Sequence, residues 1–106
     1  WDFLSDAQHA NIPMVAHGVI VDEAPDSGFY QAPPLLRDVP VTHRLAQEEV
    51  FGPVLAAFPF EDEADAIALA NSTPYGLLAA VWTENGGRQQ RVAKAVSAGQ
   101  VFVNGY

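Results

Sequence analysis

The chain has 106 residues, with five Lys plus Arg against thirteen Asp plus Glu and a formal net charge of −8, a balance that opposes a nucleic-acid backbone or an anionic membrane surface as partner. The length points to one domain at most, able to bury roughly 60 to 70% of its unfolded surface, and no apolar run approaches the roughly 18 residues of a membrane span. Cysteine is absent, which removes disulfides, thiolate metal ligands and thiol nucleophiles and leaves the cytoplasm as the plain expectation for location.

The first residues, Trp1-Asp2-Phe3, carry neither a start methionine nor a basic signal-peptide region, so the chain is expected to be trimmed at its front. Phe3, Leu4, Ala7 and Ala10 recur at helical spacing and predict a short helix over residues 2–10, closed by Asn11 and by the restriction that Pro13 places on Ile12. Residues 14–21 (MVAHGVIV) are apolar and β-branched, and the turn formers of residues 22–28 separate them from Phe29-Tyr30-Gln31-Ala32, which predicts a hairpin with a long loop. Pro33, Pro34 and Pro40 are expected to keep residues 35–39 out of any central strand.

After Pro53 the pattern becomes regular: apolar 54–60, helical 61–71, apolar 77–83, helical 87–97, apolar 100–104. This predicts βαβαβ with three parallel strands. Glu61, Asp62 and Glu63 suit the positive N-terminal end of the first helix, whose buried stripe is Ala66, Leu69 and Ala70 and which Asn71 and Pro74 close. In the second helix Asn85 is the expected cap, Val92, Ala95 and Val96 face the core, Arg91 and Lys94 lie toward the negative end, and Gly99 is the expected stop. The fold class is therefore α/β: an open, mostly parallel sheet with crossover helices, plus an N-terminal helix and hairpin. All three strands are apolar on both faces, as a sheet covered on each side requires, whereas two successive right-handed crossovers place both helices on one face. The chain is thus expected to pack against further protein, as part of a larger domain or in a homo-oligomer; a monodisperse monomer without an exposed apolar patch would contradict this.

Several motifs fall away on inspection. Glu84-Asn85-Gly86-Gly87-Arg88 lies between a strand and a helix but has neither phosphate-loop spacing, so it reads as a turn plus cap. Ala95-Val96-Ser97-Ala98-Gly99 only approximates a nucleophile elbow and sits at a helix end before a strand. His9, His17 and His43 are scattered without clustered acidic ligands, which argues against a metal site. Asn71-Ser72-Thr73 matches a glycosylation acceptor by chance, given the expected compartment. One stretch stands out: Glu48-Glu49-Val50-Phe51-Gly52-Pro53-Val54 sets two carboxylates and an aromatic directly before a Gly-Pro turn. Glu48-Glu49 is either surface charge or a carboxylate that accepts from the two O–H donors of a vicinal diol. Phe51 either packs under the loop or offers its ring to a flat heteroaromatic ligand.

That stretch, together with Gly28-Phe29-Tyr30, Asp38-Val39-Pro40, Asn71-Ser72-Thr73-Pro74-Tyr75-Gly76-Leu77, Val81-Trp82-Thr83 and Ala98-Gly99-Gln100-Val101-Phe102-Val103-Asn104-Gly105-Tyr106, resembles the NAD(P)-dependent aldehyde dehydrogenases over nearly the whole chain and in the family's order. The resemblance implies that residues 1–106 are the C-terminal part of a catalytic domain, without the cofactor domain, the catalytic-cysteine region or the C-terminal tail. It implies NAD or NADP as cofactor and an aldehyde as substrate. It assigns Glu49 to the hydroxyls of the nicotinamide ribose, Phe51 to the side of the nicotinamide ring, Tyr106 to the neighbourhood of the substrate, and Glu48 and the segment from Asn71 to structural roles. The family's thiolate nucleophile, general base and oxyanion donors have no counterpart here, so the isolated chain is expected to be inactive. The alternative is a non-catalytic truncated relative that associates through its open sheet face.

Overall fold

The first helix ends as its sequence dictates. In a computed structural model, which describes residues 2–106, α1 (Asp2–His9) closes on Asn11 with φ of 56°, a conformation that asparagine tolerates better than most residues. The Ile12 N–H donates to the Ala7 carbonyl at 2.9 Å and the Asn11 N–H to the Gln8 carbonyl at 3.0 Å, the two bonds of a Schellman ending. Ala7 and Ile12 are thereby brought into the core with Leu36, Val39 and Leu45.

The hairpin forms, but with a different second strand. β1 (Met14–His17) pairs antiparallel with β2 (Pro34–Arg37), His17 standing opposite Pro34 and Met14 opposite Leu36. The expected partner, residues 29–32, stays irregular, and Phe29 is fully exposed. The prolines that argued against a central strand do not prevent one. Pro34 is the strand's first residue, where a missing N–H costs least, and the carbonyls of Pro33 and Pro13 accept from the Gly18 and Arg37 N–H groups at 2.8 and 3.0 Å. β2 is in fact the middle strand of three: on its other side it pairs in parallel with β3 (Leu55–Ala57), Leu36 opposite Ala56. The crossover between them contains α2 (Arg44–Gln47), a single turn that no periodicity announces.

The remaining elements are α3 (Glu63–Ala70), β4 (Leu78–Val81), α4 (Gly86–Ala95) and β5 (Gln100–Val103). β4 and β5 are parallel, Ala79 opposite Val101, with α4 as their crossover. The α/β class with parallel strands and crossover helices is thus present. The expectation that β3 shares a sheet with β4 and β5 is corrected: β3 is hydrogen-bonded to β2, and β4 and β5 form a sheet of two. An apolar run identifies a strand but not its neighbour. The described residues fall into two compact units, the first ending at Pro59 and the second running Phe60–Tyr106.

Both helices of the second unit are capped by side chains. Asp62 accepts from the Asp65 N–H at 2.8 Å, one of the open donors at the start of α3, and Asp65 in turn accepts from the N–H of Glu61, just ahead of the cap, at 3.1 Å. Asn85 caps α4 by accepting from the Arg88 N–H at 2.9 Å. Gly99 is not the stop that was expected. The helix ends at extended Val96, and no glycine among the described residues has positive φ. Gly99 instead allows close approach, its N–H donating to the Gly76 carbonyl at 2.8 Å. Asn71 joins the ends of the two helices: its amide donates to the Ala95 carbonyl at 2.9 Å and accepts from the Ser97 N–H at 2.7 Å. Apolar surface remains exposed in this unit at Leu77, Leu78, Trp82 and Tyr106. Among the described residues no helix is long and apolar enough to cross a membrane.

An ion cluster links α3 to α4. Glu63 accepts from Arg91 at 2.6 and 2.7 Å and from Arg88 at 3.3 Å. Arg91, and to a smaller extent Arg88, hold the Glu63 carboxyl below the usual carboxylate range. A carboxyl whose value is depressed on folding stabilises the fold above its unfolded value, and that contribution disappears as pH falls through the depressed one. Arg91→Gln is therefore expected to lower the thermal midpoint by a small, constant amount from neutral pH down to the ordinary carboxylate range. Below it the gap to the unmodified protein closes, and a gap that widened with acid would contradict the pairing.

Candidate functional site

The stretch that stood out in the sequence is the exit from α2. His43 starts that helix, its Nδ1 accepting from the Leu45 N–H at 3.2 Å, a cap that no motif announces. Glu48 ends it in an extended conformation, φ −121° and ψ 147°, with its N–H on the Arg44 carbonyl at 2.8 Å. The Arg44 guanidinium reaches three groups at once. It donates to Asp6 at 2.8 Å and to Glu48 at 3.2 Å, and its carbon lies 3.9 Å from the centre of the Phe3 ring. Asp6 first, then Glu48, raise its already high pKa, so it is charged at any working pH.

The two neighbouring glutamates therefore differ in environment. Glu48 is paired, whereas the Glu49 carboxylate is exposed and has no hydrogen-bond or ion-pair partner among the described residues. Two residues on, Phe51 has φ of 54° and is 89% exposed. Packing of the ring under the loop, one of the two readings left open, is not what the structure shows. A left-handed backbone costs a residue with a Cβ about 1–2 kcal/mol. The sequence pointed to Gly52 or Pro53 as the bend, yet the left-handed residue is Phe51. Pro53 centres a tight turn that follows, the Val54 N–H donating to the Gly52 carbonyl at 2.8 Å. Val54 and Ala56 then pack against the core, which anchors the loop. An apolar cleft of about 340 Å³ lies beside this turn, lined by residues 16–18, 33–35 and 52–55.

Tyr106 belongs to the second unit, where it is exposed and its ring centre lies 6.4 Å from that of Trp82. The end of β5 that leads to it is fixed by Asn104, at φ 52°. The Asn104 amide accepts from the Thr83 N–H at 2.9 Å and donates to the Thr83 carbonyl at 3.1 Å, standing in for one more peptide of the ladder. Among the described residues no group of three or more His, Asp or Glu side chains comes together as a metal site would require. Sequence reasoning passed over Arg44, although Arg44 and Glu48 have the i, i+4 spacing of a helical ion pair.

The whole chain, residues 1–106, matches the profile of the aldehyde dehydrogenase family. Over 77 residues it is 47% identical to the 5-carboxymethyl-2-hydroxymuconate semialdehyde dehydrogenase of Escherichia coli, a match covering 73% of this chain and 16% of that protein. The crystal structure of a Burkholderia cenocepacia protein described as an aldehyde dehydrogenase superimposes with a TM-score of 0.96 at 70% identity, over 100% of this chain and 22% of that one. The Mycobacterium tuberculosis aldehyde dehydrogenase, solved in complex with NAD+, gives 0.88 at 34% identity, over 99% of this chain and 22% of that one. The chain spans about a fifth of the length of these relatives. With a profile covering every residue and solved relatives that share its fold at such identity, the chain belongs to the aldehyde dehydrogenase family.

Proposed function

We propose that this chain is the C-terminal part of the catalytic domain of an NAD(P)-dependent aldehyde dehydrogenase, to which it supplies the contact with the nicotinamide ribose. The observation that carries this reading is the division of labour at residues 48 and 49: one carboxylate is tied to Arg44, while the other is unpaired among the described residues and exposed, two positions before an exposed aromatic. An ionised carboxylate only accepts hydrogen bonds, so Glu49 suits a group that brings two hydroxyl donors, and the Phe51 ring suits a flat one. The residues present fit a nicotinamide riboside. When bound, the nicotinamide accepts the hydride as an aldehyde is oxidised to a carboxylic acid. Glu49 binds the ribose hydroxyls, Phe51 limits the positions open to the ring, and Tyr106 borders the aldehyde.

This chain has no cysteine, so a thiol nucleophile for the aldehyde comes from the rest of the enzyme and residues 1–106 alone are inactive. The exposed Leu77, Leu78, Trp82 and Tyr106 support packing against the remainder of the domain or a second subunit, in a cytoplasmic enzyme.

The decisive variant is Glu49→Ala in the complete enzyme. Hydrogen bonds to a charged group contribute about 1.5–3 kcal/mol, so NAD(P) is expected to bind roughly 10- to 100-fold more weakly by titration calorimetry. ADP, which lacks the nicotinamide ribose, is expected to bind as before. Unchanged NAD(P) affinity would overturn the assignment.

A further inference from the structure

We infer that Arg44 is a positioning residue for the cofactor contact: by holding Glu48 it turns Glu49 to the opposite side of the chain, toward the ribose. The inference rests on the ribose role proposed for Glu49 and adds what makes that carboxylate, of two adjacent and chemically equal ones, the free one. At Glu48 the backbone is extended, and successive side chains of an extended chain point to opposite sides. Whichever glutamate captures a cation is held on that side of the chain, and its neighbour faces the other.

Arg44 selects Glu48 because it cannot follow either residue outward. Its guanidinium is fixed on Asp6 of α1 at 2.8 Å and lies 3.9 Å from the centre of the Phe3 ring, and the Glu48 N–H is bonded to the Arg44 carbonyl. Side chain and main chain thus clamp the same residue. The planar guanidinium offers a face to Phe3 and separate edges to two carboxylates, which the point charge of a lysine cannot do together. Without Arg44, Asp6 and Glu48 lose their common countercharge. Glu48 is then free to leave its place beside Arg44, and Glu49 loses the orientation that its neighbour imposed.

The test is a double-mutant cycle in the complete enzyme, with Arg44→Ala, Glu49→Ala and the pair, read as dissociation constants for NAD(P) and for ADP and as thermal midpoints. Arg44→Ala alone is expected to weaken NAD(P) roughly five- to tenfold with ADP unchanged. In the Glu49→Ala background the same change is expected to add less than about twofold, because residues acting through one contact are not additive. Full multiplication of the two effects, or equal weakening of ADP and NAD(P), would overturn the inference by showing that Arg44 acts only on the fold. Should Arg44→Ala not fold, Glu48→Gln keeps the shape and removes the charge. It is expected to weaken NAD(P) in the same direction and to show the same lack of additivity, and independence from Glu49 would again overturn the inference. If Glu49→Ala leaves NAD(P) binding intact, the ribose contact itself fails and the role of Arg44 fails with it, a result distinct from additivity between two effective variants.

Discussion

Leu36→Ala is expected to cost about 2–5 kcal/mol of stability, read as a lowered urea midpoint with little change in slope. Leu36 is 2% exposed and sits on the middle strand of its sheet, opposite Met14 on one side and Ala56 on the other. Around it stand Ala7 and Ile12 from the end of α1, Val39 from the crossover and Leu45 from α2. Ala7, Ile12 and Leu45 are held by backbone hydrogen bonds, so the wall resists collapse into the space, and the cavity adds to the lost transfer free energy. Val19→Ala serves as the contrast. Val19 is 82% exposed, and its loss is expected to change stability by less than about 0.5 kcal/mol. Equal effects at the two positions would mean that β2 is not the centre of a core.

Gly76→Ala is expected to cost about 2–3 kcal/mol, by overpacking rather than by a cavity. A Cβ at Gly76 would stand 2.6 Å from the Ser97 carbonyl oxygen and 3.7 Å from the Ala98 Cα. These are main-chain atoms, so no side-chain rotation relieves the clash. Moving Ser97 strains its N–H bond to Asn71, and moving Gly76 lengthens the bond from Gly99. Gly86→Ala reverses the sign. Nothing lies within 4 Å of a Cβ there, φ is not positive, and the residue opens α4, so about 0.4–1 kcal/mol of stabilisation is expected from the lower entropy of the unfolded chain. Thermal midpoints of the two variants, measured side by side, decide whether the Gly76–Ser97 approach is as tight as the structure has it.

What could be read from the residues, and what could not, follows from the range of each signal. Asn11 and Asn85 act within a turn of the helices they end or start, and both were legible, as were α3, β4, α4 and β5 in outline. α2 escaped because four residues carry no period. β2 escaped because the prolines beside it were weighed for the donors they lack and not for the carbonyls they keep. With β2 discounted, β3 was assigned the wrong neighbours. At the site, Glu49 and Phe51 stood out by motif, but the bond network that distinguishes Glu49 from Glu48 runs through Phe3, Asp6 and Arg44. Only the last of these is close enough in sequence to suggest itself.

Phe51 adopts a backbone conformation that glycine would accept without penalty. A stability-guided redesign of this loop, choosing residues by local compatibility alone, would discard the phenyl group first. The bend would become calmer and the surface blander. If the ring orients a bound nicotinamide, such thermal hardening would come at the expense of turnover, so position 51 should be left untouched in any attempt to toughen the enzyme.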